Sequence, residues 1–193
     1  MPRESGTVGL SNVMYSKITY ATDGTVTYGA PQKLAPAIEA KISQSTDQQV
    51  QYADDAAVEI LTADGEIKLD FTASDISNKV LADLLGKKID SNGVMLSSAN
   101  DFPPYVAIMF KSLKGNGKYR YVCLYKGKFV QPDEDFKTKQ GKADVQNSSI
   151  SGMFVKRDAD DYMKARVDED DAGALPTTIS SWFSKPYEPV VTP

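Results

Sequence analysis

Residues 105–130 read YVAIMFKSLKGNGKYRYVCLYKGKFV and carry the clearest structural signal in the chain. In the second half, aromatic or apolar side chains occupy odd positions, at Tyr119, Tyr121, Cys123, Tyr125 and Phe129. Basic side chains occupy even positions, at Lys118, Arg120, Lys126 and Lys128. This period of two predicts a β-strand with one apolar face.

The first half of the same stretch predicts the partner of that strand. Residues 105–110 form an unbroken apolar run, and Asn116-Gly117 is a pair suited to the positive φ of a tight turn. The two runs therefore predict a long β-hairpin. Val122 and Leu124 make its second face apolar too, so we expect its centre to be covered on both sides, as in a sandwich or barrel.

Composition limits the function classes. The 193 residues suffice for one domain with a substantial core, and 41% hydrophobic and 25% charged residues are typical of a globular protein. The chain has no histidine and one cysteine, Cys123. Histidine-dependent catalytic triads and zinc sites are therefore excluded. We expect no enzyme activity, no cofactor and no metal, and a core position for Cys123.

The chain shows no sign of membrane insertion or export. No apolar stretch has the length of a membrane span, and residues 1–6 lack the apolar segment of a signal peptide. We expect synthesis and retention in a cytoplasm-like compartment.

Alternation predicts several strands upstream of the central hairpin. Residues 8–18 and 26–28 indicate a strand with a short return, and Ile38, Ala40 and Ile42 indicate another. Residues 43–57 are polar and rich in amide side chains, and we interpret them as a long ordered loop of functional interest.

Two strands and a helix should follow that loop. Residues 58–62 and 66–73 indicate two strands joined by a turn at Asp64-Gly65. Helical spacing then predicts a helix over about 75–85, with Ser74 or Asp75 as N-cap and Gly86 as the C-terminal stop. The chain as a whole is predicted to be mainly β.

Two further strands and a short helix are expected after the central hairpin. The strands are predicted at 148–157 and 162–167, beyond a charged loop at 131–147. Pro176 indicates the start of a short terminal helix, in which Trp182 should pack against the core.

Charge is unevenly distributed along the sequence. The net charge is −4, yet residues 102–132 hold six basic residues and no acidic one, so the remainder sums to −10. The overall acidity argues against general affinity for nucleic acid. We interpret the pattern as a positive hairpin on an acidic body, able to contact other copies of the chain.

Three patterns suggest chemistry and have plainer interpretations. Residues 168–173 resemble the start of an EF-hand loop but lack ligands at Ala172 and Ile179, which favours a solvated acidic turn. Asp54 and Asp55 could form an acid/base pair, but nothing desolvates either one, so surface charge is favoured. Residues 118–121 mix tyrosines and cations as in single-strand binders, but alternation places the two kinds on opposite faces.

Several stretches, taken in chain order, support a resemblance over nearly the whole sequence. They are residues 2–10 (PRESGTVGL), 28–31 (YGAP), 34–40 (LAPAIEA), 51–55 (QYADD), 84–86 (LLG), 118–122 (KYRYV), 124–129 (LYKGKF) and 167–170 (VDED). Together they resemble the major tail protein of long-tailed, non-contractile bacteriophages.

The resemblance implies a fold and a role. The fold would be a β-sandwich or barrel-like tail tube domain with one flanking α-helix and a long inter-strand loop. An N-terminal arm (1–7), a core (8–184) and a C-terminal arm (185–193) would form one domain over residues 1–193. Hexameric rings would stack into a tube that conducts double-stranded DNA without binding it specifically.

The resemblance also implies partners and a location. The partners would be other copies of the chain, a tape measure protein, a tail terminator and distal tail proteins, with no membrane. The protein would assemble in the host bacterial cytoplasm and reside in the virion tail. Neither catalytic residues nor a cofactor would be needed.

Candidate contact residues follow from the polar loop and the basic hairpin. They are Val50, Tyr52, Asp54, Asp55, Lys118, Arg120, Lys126 and Lys128. The alternative function is a β-sandwich binding module for carbohydrate or single-stranded nucleic acid, which would require an exposed aromatic platform.

Overall fold

The computed structural model describes residues 5–21, 26–53, 56–136, 138 and 146–190. The strands are β1 (Thr7–Tyr20), β2 (Val26–Tyr28), β3 (Gln32–Lys33), β4 (Ala37–Ala53), β5 (Ala56–Ala73), β6 (Lys88–Ile89), β7 (Met95–Leu96), β8 (Val106–Lys114), β9 (Tyr119–Phe129), β10 (Ser148–Val155) and β11 (Lys164–Asp168). The helices are α1 (Asn78–Leu85) and α2 (Pro176–Ser181).

Nine of the strands within the described ranges form one antiparallel sheet that curls into a half-barrel. The order is β2-β1-β8-β9-β10-β5-β4, with β3 also paired to β1 and β11 also paired to β9. Two strands share one edge of β9, because β11 pairs with residues 120–124 and β10 with residues 126–129. The expectation of a mainly β, barrel-like fold with a flanking helix is confirmed.

The central hairpin is β8 and β9, and both of its faces are buried as predicted. Ile108 and Leu124 belong to the main core inside the curled sheet, together with residues of β1, β5, β10 and α1. Met109 and Cys123 point to a second core on the opposite face. Burial raises the pKa of the Cys123 thiol to about 12, so it is a core residue without thiolate reactivity.

A β-bulge reverses the alternation near the end of β9. The register pairs Ile108 with Leu124 but Val106 with Gly127, so β9 holds one extra residue between the two pairs. Beyond the bulge, Phe129 faces the main core. The prediction that Phe129 shares a face with the tyrosines of β9 is therefore wrong.

Two glycines interlock with two phenylalanines where β9 meets β10. Gly127 pairs with Phe154, and Gly152 pairs with Phe129. The two rings pack edge to face with centroids 6.1 Å apart. Each ring covers the glycine opposite it, so these positions have no room for side chains.

Replacing Gly127 by alanine should destabilise the protein. The new Cβ would lie 2.4 Å from Cδ1 of Phe154, a ring buried in the main core. We expect the free energy of unfolding to fall by about 2 kcal/mol, the usual cost of overpacking, as measured by urea denaturation. Gly173→Ala is the matched control, because nothing lies within 4 Å of its Cβ position. Equal stability of the two variants would contradict the interlocked packing.

Helix α1 begins later than predicted. Its N-cap is Ser77, whose hydroxyl accepts a hydrogen bond from the Val80 amide, so the prediction of Ser74 or Asp75 is wrong. Gly86 ends the helix with φ of 70°, as predicted. Asp83 joins α1 to β1, accepting hydrogen bonds from Tyr15 Oη at 2.8 Å and Lys17 Nζ at 2.7 Å.

The second core is closed by the C-terminal part of the chain. Pro176 opens α2, and Trp182, which follows the helix, is 3% exposed. Its ring stacks on Tyr187 and contacts Tyr121, with centroids 5.5 and 5.9 Å apart. Trp182 therefore packs as predicted. Tyr187 packs against this core and Pro186 is buried, whereas Val190 is 85% exposed. The domain limits and the arms remain a prediction.

The largest difference from the sequence-based expectation is at residues 43–57. The described residues of this stretch, 43–53 and 56–57, belong to a long hairpin of β4 and β5, which pair from Ala37↔Ala73 to Ala53↔Ala56. The predictions of a loop and of a turn at Asp64-Gly65 are both wrong. Gly65 is a strand residue instead, and a Cβ there would lie 2.2 Å from the hydroxyl of Ser45, at a register shift in β4.

Candidate functional site

The outer part of the β4–β5 hairpin, residues 44–66, is the most unusual surface of the molecule, and we refer to it as the hairpin extension. All described side chains at 44–51 and 60–64 are exposed, so neither face of this two-stranded ribbon is covered. The extension is about 30 Å long at roughly 3.3 Å per residue. An isolated two-stranded hairpin is only marginally stable in water, so this surface is suited to binding a partner.

The extension combines apolar side chains with a single sign of charge. Val50, Ile60 and Leu61 are 37%, 63% and 49% exposed. Residues 44–66 contain six acidic residues and no Lys or Arg. Such a surface would bind a partner surface that presents both apolar side chains and cations.

The strand edge beside the extension is also unpaired. Among the described residues, β4 pairs only with β5 and ends the sheet. Its backbone N–H and C=O groups are therefore open to another strand along one side.

The structure places the four predicted contact residues of this region as follows. Val50 is exposed on the extension, and Tyr52 lies near the end of β4. Asp54 and Asp55 lie outside the described residues. Their role in subunit contacts, like that of the other candidates, remains a prediction.

Residues 168–170 form an acidic segment that pairs with basic side chains of the β8–β9 hairpin. Arg120 donates two hydrogen bonds to Asp168, Nε to Oδ1 at 2.6 Å and Nη2 to Oδ2 at 2.7 Å. Lys114 Nζ lies 2.9 Å from Asp168 Oδ2 and 2.6 Å from Asp170 Oδ1. Lys118 Nζ pairs with Glu169 at 3.2 Å.

The interpretation of residues 168–173 as a solvated acidic turn holds for the exposed residues 171–173 but is wrong for Asp168. Asp168 is 7% exposed and Lys114 is 5% exposed. Hydrogen bonds from Arg120, and then from Lys114, hold the pKa of Asp168 well below its usual range. Hydrogen bonds to Asp170 and Asp168 raise the pKa of Lys114. The segment acts as an ionic clamp between β11 and the β8–β9 turn.

The same contacts bear on metal binding. Carboxylate oxygens of Asp168, Asp170 and Asp171 lie within 4.8 Å of one another, close enough to share an ion. Lys114 already places its ammonium group against two of them. A protein cation thus neutralises this cluster.

Lys126 and Lys128, the other two basic candidates, also contact residues of the same chain. Lys126 Nζ lies 2.8 Å from Asp158 Oδ2. Lys128 Nζ lies 4.4 Å from the ring centroid of Tyr105, a cation–π contact. The cations of β8–β9 are thus largely paired within the same chain, and the predicted role of Lys118, Arg120, Lys126 and Lys128 in subunit contacts remains a prediction.

The aromatic residues considered for stacking from the sequence, Tyr119, Tyr121 and Trp182, do not form an open platform. Tyr121 is 7% exposed, and Tyr119 carries Lys111 Nζ at 4.1 Å from its ring centroid. Trp182 is buried in the second core. Stacking of bases or sugars on these rings has no structural support.

The family comparison decides between a tail component and a binding module. A family model described as phage tail tube protein matches residues 12–164 of the 193-residue chain. The chain belongs to the phage tail tube protein family. The match supports the predicted resemblance to the major tail protein of long-tailed phages. No curated protein matches the chain.

As a tail tube protein, the molecule is a structural component of the virion tail. The family points to self-assembly with other tail components, not to catalysis. None of the helices in the described ranges has the length and hydropathy needed to cross a membrane. The exposed hairpin extension is thus a candidate contact between subunits of the tube. The ionic clamp stabilises the individual subunit.

Sequence reasoning missed two features of this tail tube protein. The clamp required knowledge of strand pairing, since Asp168 lies directly opposite Arg120 in the β9–β11 register. The cations of β11 were also missed, although Lys164 and Arg166 alternate with Ala165 and Val167. That period of two was the available signal.

The clamp predicts a dependence of stability on pH. Because the pKa of Asp168 is lowered on folding, its contribution is complete above its unfolded pKa of about 4 and is lost as pH falls further. We expect Asp168→Asn to cost about 3 kcal/mol at pH 7, as measured by urea denaturation. The difference from the wild type should shrink between about pH 5 and pH 2. Asp133→Asn, at an exposed position, is the control; a pH-independent difference for Asp168→Asn would contradict the clamp.

Proposed function

We propose that this protein polymerises as stacked hexameric rings into the tail tube, through which double-stranded DNA passes into the host. A tape measure protein, a tail terminator and distal tail proteins would complete the tail, and assembly would occur in the host cytoplasm. The match of residues 12–164 to a tail tube family model supports the role in the tube, while the hexameric rings and the passage of DNA are proposed.

The observation that carries the proposal is the uncovered hairpin extension. It presents apolar side chains on both faces and one free strand edge, and nothing in the described part of its own chain covers them. Burying these groups against another copy would supply the stability that an isolated ribbon lacks.

Closed rings and open stacks require different contacts. A heterologous contact that closes by rotation generates a ring, and one that does not close generates an open filament. Among the described residues, unpaired strand edges remain at β4, at residues 7–11 of β1 and at β11, so the subunit offers more than one edge for such contacts.

The acidity of the chain is compatible with DNA passage. The net charge is −4. If acidic side chains outside the subunit contacts line the bore, they would repel phosphates and let DNA slide instead of binding. Replacing bore-lining acids by lysine in tubes that still assemble should then slow DNA ejection, and unchanged ejection would contradict this part of the proposal.

Electron microscopy and light scattering of the purified protein test the proposal. We expect a concentration-dependent shift from monomer to hollow rings and tubes, with six-fold symmetry in end views. A persistent monomer at all concentrations, with specific binding of glycans or oligonucleotides, would instead favour the binding-module alternative.

A further inference from the structure

An open groove lies at the base of the β4–β5 hairpin, with a volume of about 500 Å³. Its floor includes the apolar residues Leu10, Ile42, Phe110 and Val122. At its rim, Val8 is 69% exposed and Ile38 is 51% exposed. The groove thus offers an apolar surface that the chain itself leaves uncovered.

Cations line the β11 side of this groove. Lys164 and Arg166 point into it from alternate positions of β11. Neither has an ion pair or side-chain hydrogen bond with any described residue. Arg120 also lines the groove but is held by Asp168, and Glu39 is the acidic residue of the lining. Lys164 and Arg166, without an ion pair among the described residues, therefore lie in the groove with the single carboxylate of Glu39.

The groove also borders unpaired strand edges. In the described part of the chain, residues 7–11 of β1 pair only with β8, and β4 pairs only with β5. An entering strand could therefore gain backbone hydrogen bonds in addition to side-chain contacts.

We propose that this groove is the docking site for the hairpin extension of a second copy of the chain. The extension holds six acidic residues and no cation, which complements Lys164 and Arg166. Its exposed Val50, Ile60 and Leu61 match the apolar floor and rim. The inference rests on the proposed self-assembly and identifies one of its contacts.

A chain cannot fill its own groove with its own extension. Ile38 and Ile42 of β4 line the groove, whereas the end of β4 at Ala53 lies about 35 Å further along the same strand at roughly 3.3 Å per residue. The contact must therefore join two copies. Since donor and acceptor surfaces lie at different places on one chain, it is heterologous and repeats from copy to copy.

Charge reversal tests the contact. The groove variant is Lys164→Glu/Arg166→Glu, and the extension variant is Asp47→Lys/Asp64→Lys, at two exposed positions of the extension. We expect each alone to raise the protein concentration needed for tube formation by about tenfold or more, because like charges would meet in the contact. An equimolar mixture of the two variants should restore tubes, since each copy then meets a neighbour of opposite charge. Tube formation is measured by sedimentation and electron microscopy.

A matched control separates this contact from a general effect of charge. Lys87→Glu/Lys88→Glu makes the same charge change beside α1, away from the groove, and should assemble like the wild type. Thermal melting of each monomer confirms that the fold is intact.

The outcomes are distinguishable. Normal tubes from the groove variant, a mixture that fails to assemble, or equal loss in the control variant would each overturn the docking site. If the wild type itself never forms tubes, the proposed function fails before any variant is compared.

Discussion

Shortening the β4–β5 hairpin should abolish tube formation and leave a folded subunit. Replacing residues 45–66 by Asn-Gly would join Gln44 to Ile67, which already pair in the register, through a two-residue turn. Apart from the half-buried Gly65, the removed residues are exposed where described, so we expect the free energy of unfolding to change by no more than about 1 kcal/mol. Assembly should be lost because the uncovered apolar side chains and strand edge are removed together.

The matched control keeps the hairpin and changes its surface only. The control variant is Val50→Thr/Ile60→Thr/Leu61→Thr. Threonine is β-branched and favours strands, so the hairpin is kept while exposed apolar groups are removed. It should assemble at higher protein concentration than the wild type. Tubes of normal length and abundance from the shortened chain would contradict the role of the extension.

Replacing Trp182 by alanine should produce the largest loss of subunit stability. Trp182 is 3% exposed and joins Tyr121 to Tyr187, so its removal would open the second core. We expect the free energy of unfolding to fall by about 4 kcal/mol, measured by urea denaturation. The C-terminal residues that pack on this ring should become sensitive to limited proteolysis.

A phenylalanine at the same position separates packing from hydrogen bonding. The Nε1 atom of Trp182 is buried and has no hydrogen-bond partner among the described residues. Trp182→Phe therefore loses ring area but no hydrogen bond and should cost much less than Trp182→Ala. Equal losses for the two variants would show that the stacked aromatic cluster does not hold the C-terminal segment.

The central hairpin could be predicted because its local signals agree. The Asn116-Gly117 pair forms the β8–β9 turn, with φ of 81° at Gly117, and the period of two places Val122 and Cys123 in opposite cores. The face of Phe129 could not be predicted, because one inserted residue reverses the alternation without leaving a mark in the sequence.

The hairpin extension shows where hydrophobic periodicity fails. Its β-ladder depends on backbone hydrogen bonds, and with neither face buried no apolar alternation is required. A polar segment of this kind therefore resembles a loop in sequence. The surface of greatest functional interest was located by its unusual length and polarity, but its strand structure was not predicted.

The number of basic residues could be read from the sequence, but their ion-pair partners could not be predicted. The six cations of residues 102–132 are visible in the sequence, whereas their pairing depends on which strands are neighbours. Strand β11 lies beside β9 and brings Asp168 to Arg120. Two cations without an ion pair among the described residues consequently lie on β11, at Lys164 and Arg166, whereas the cations of the hairpin are largely paired.

Hydrogen–deuterium exchange tests most directly whether the hairpin extension is a joint between subunits. Amides at positions 46–62 should exchange rapidly in the isolated subunit, because this ribbon has solvent on both faces, and should become strongly protected in assembled tubes. Amides of β8 and β9 provide the internal reference, since both strands are buried in either state. Rapid exchange at 46–62 in the assembled tube, unchanged from the isolated subunit, would contradict the account.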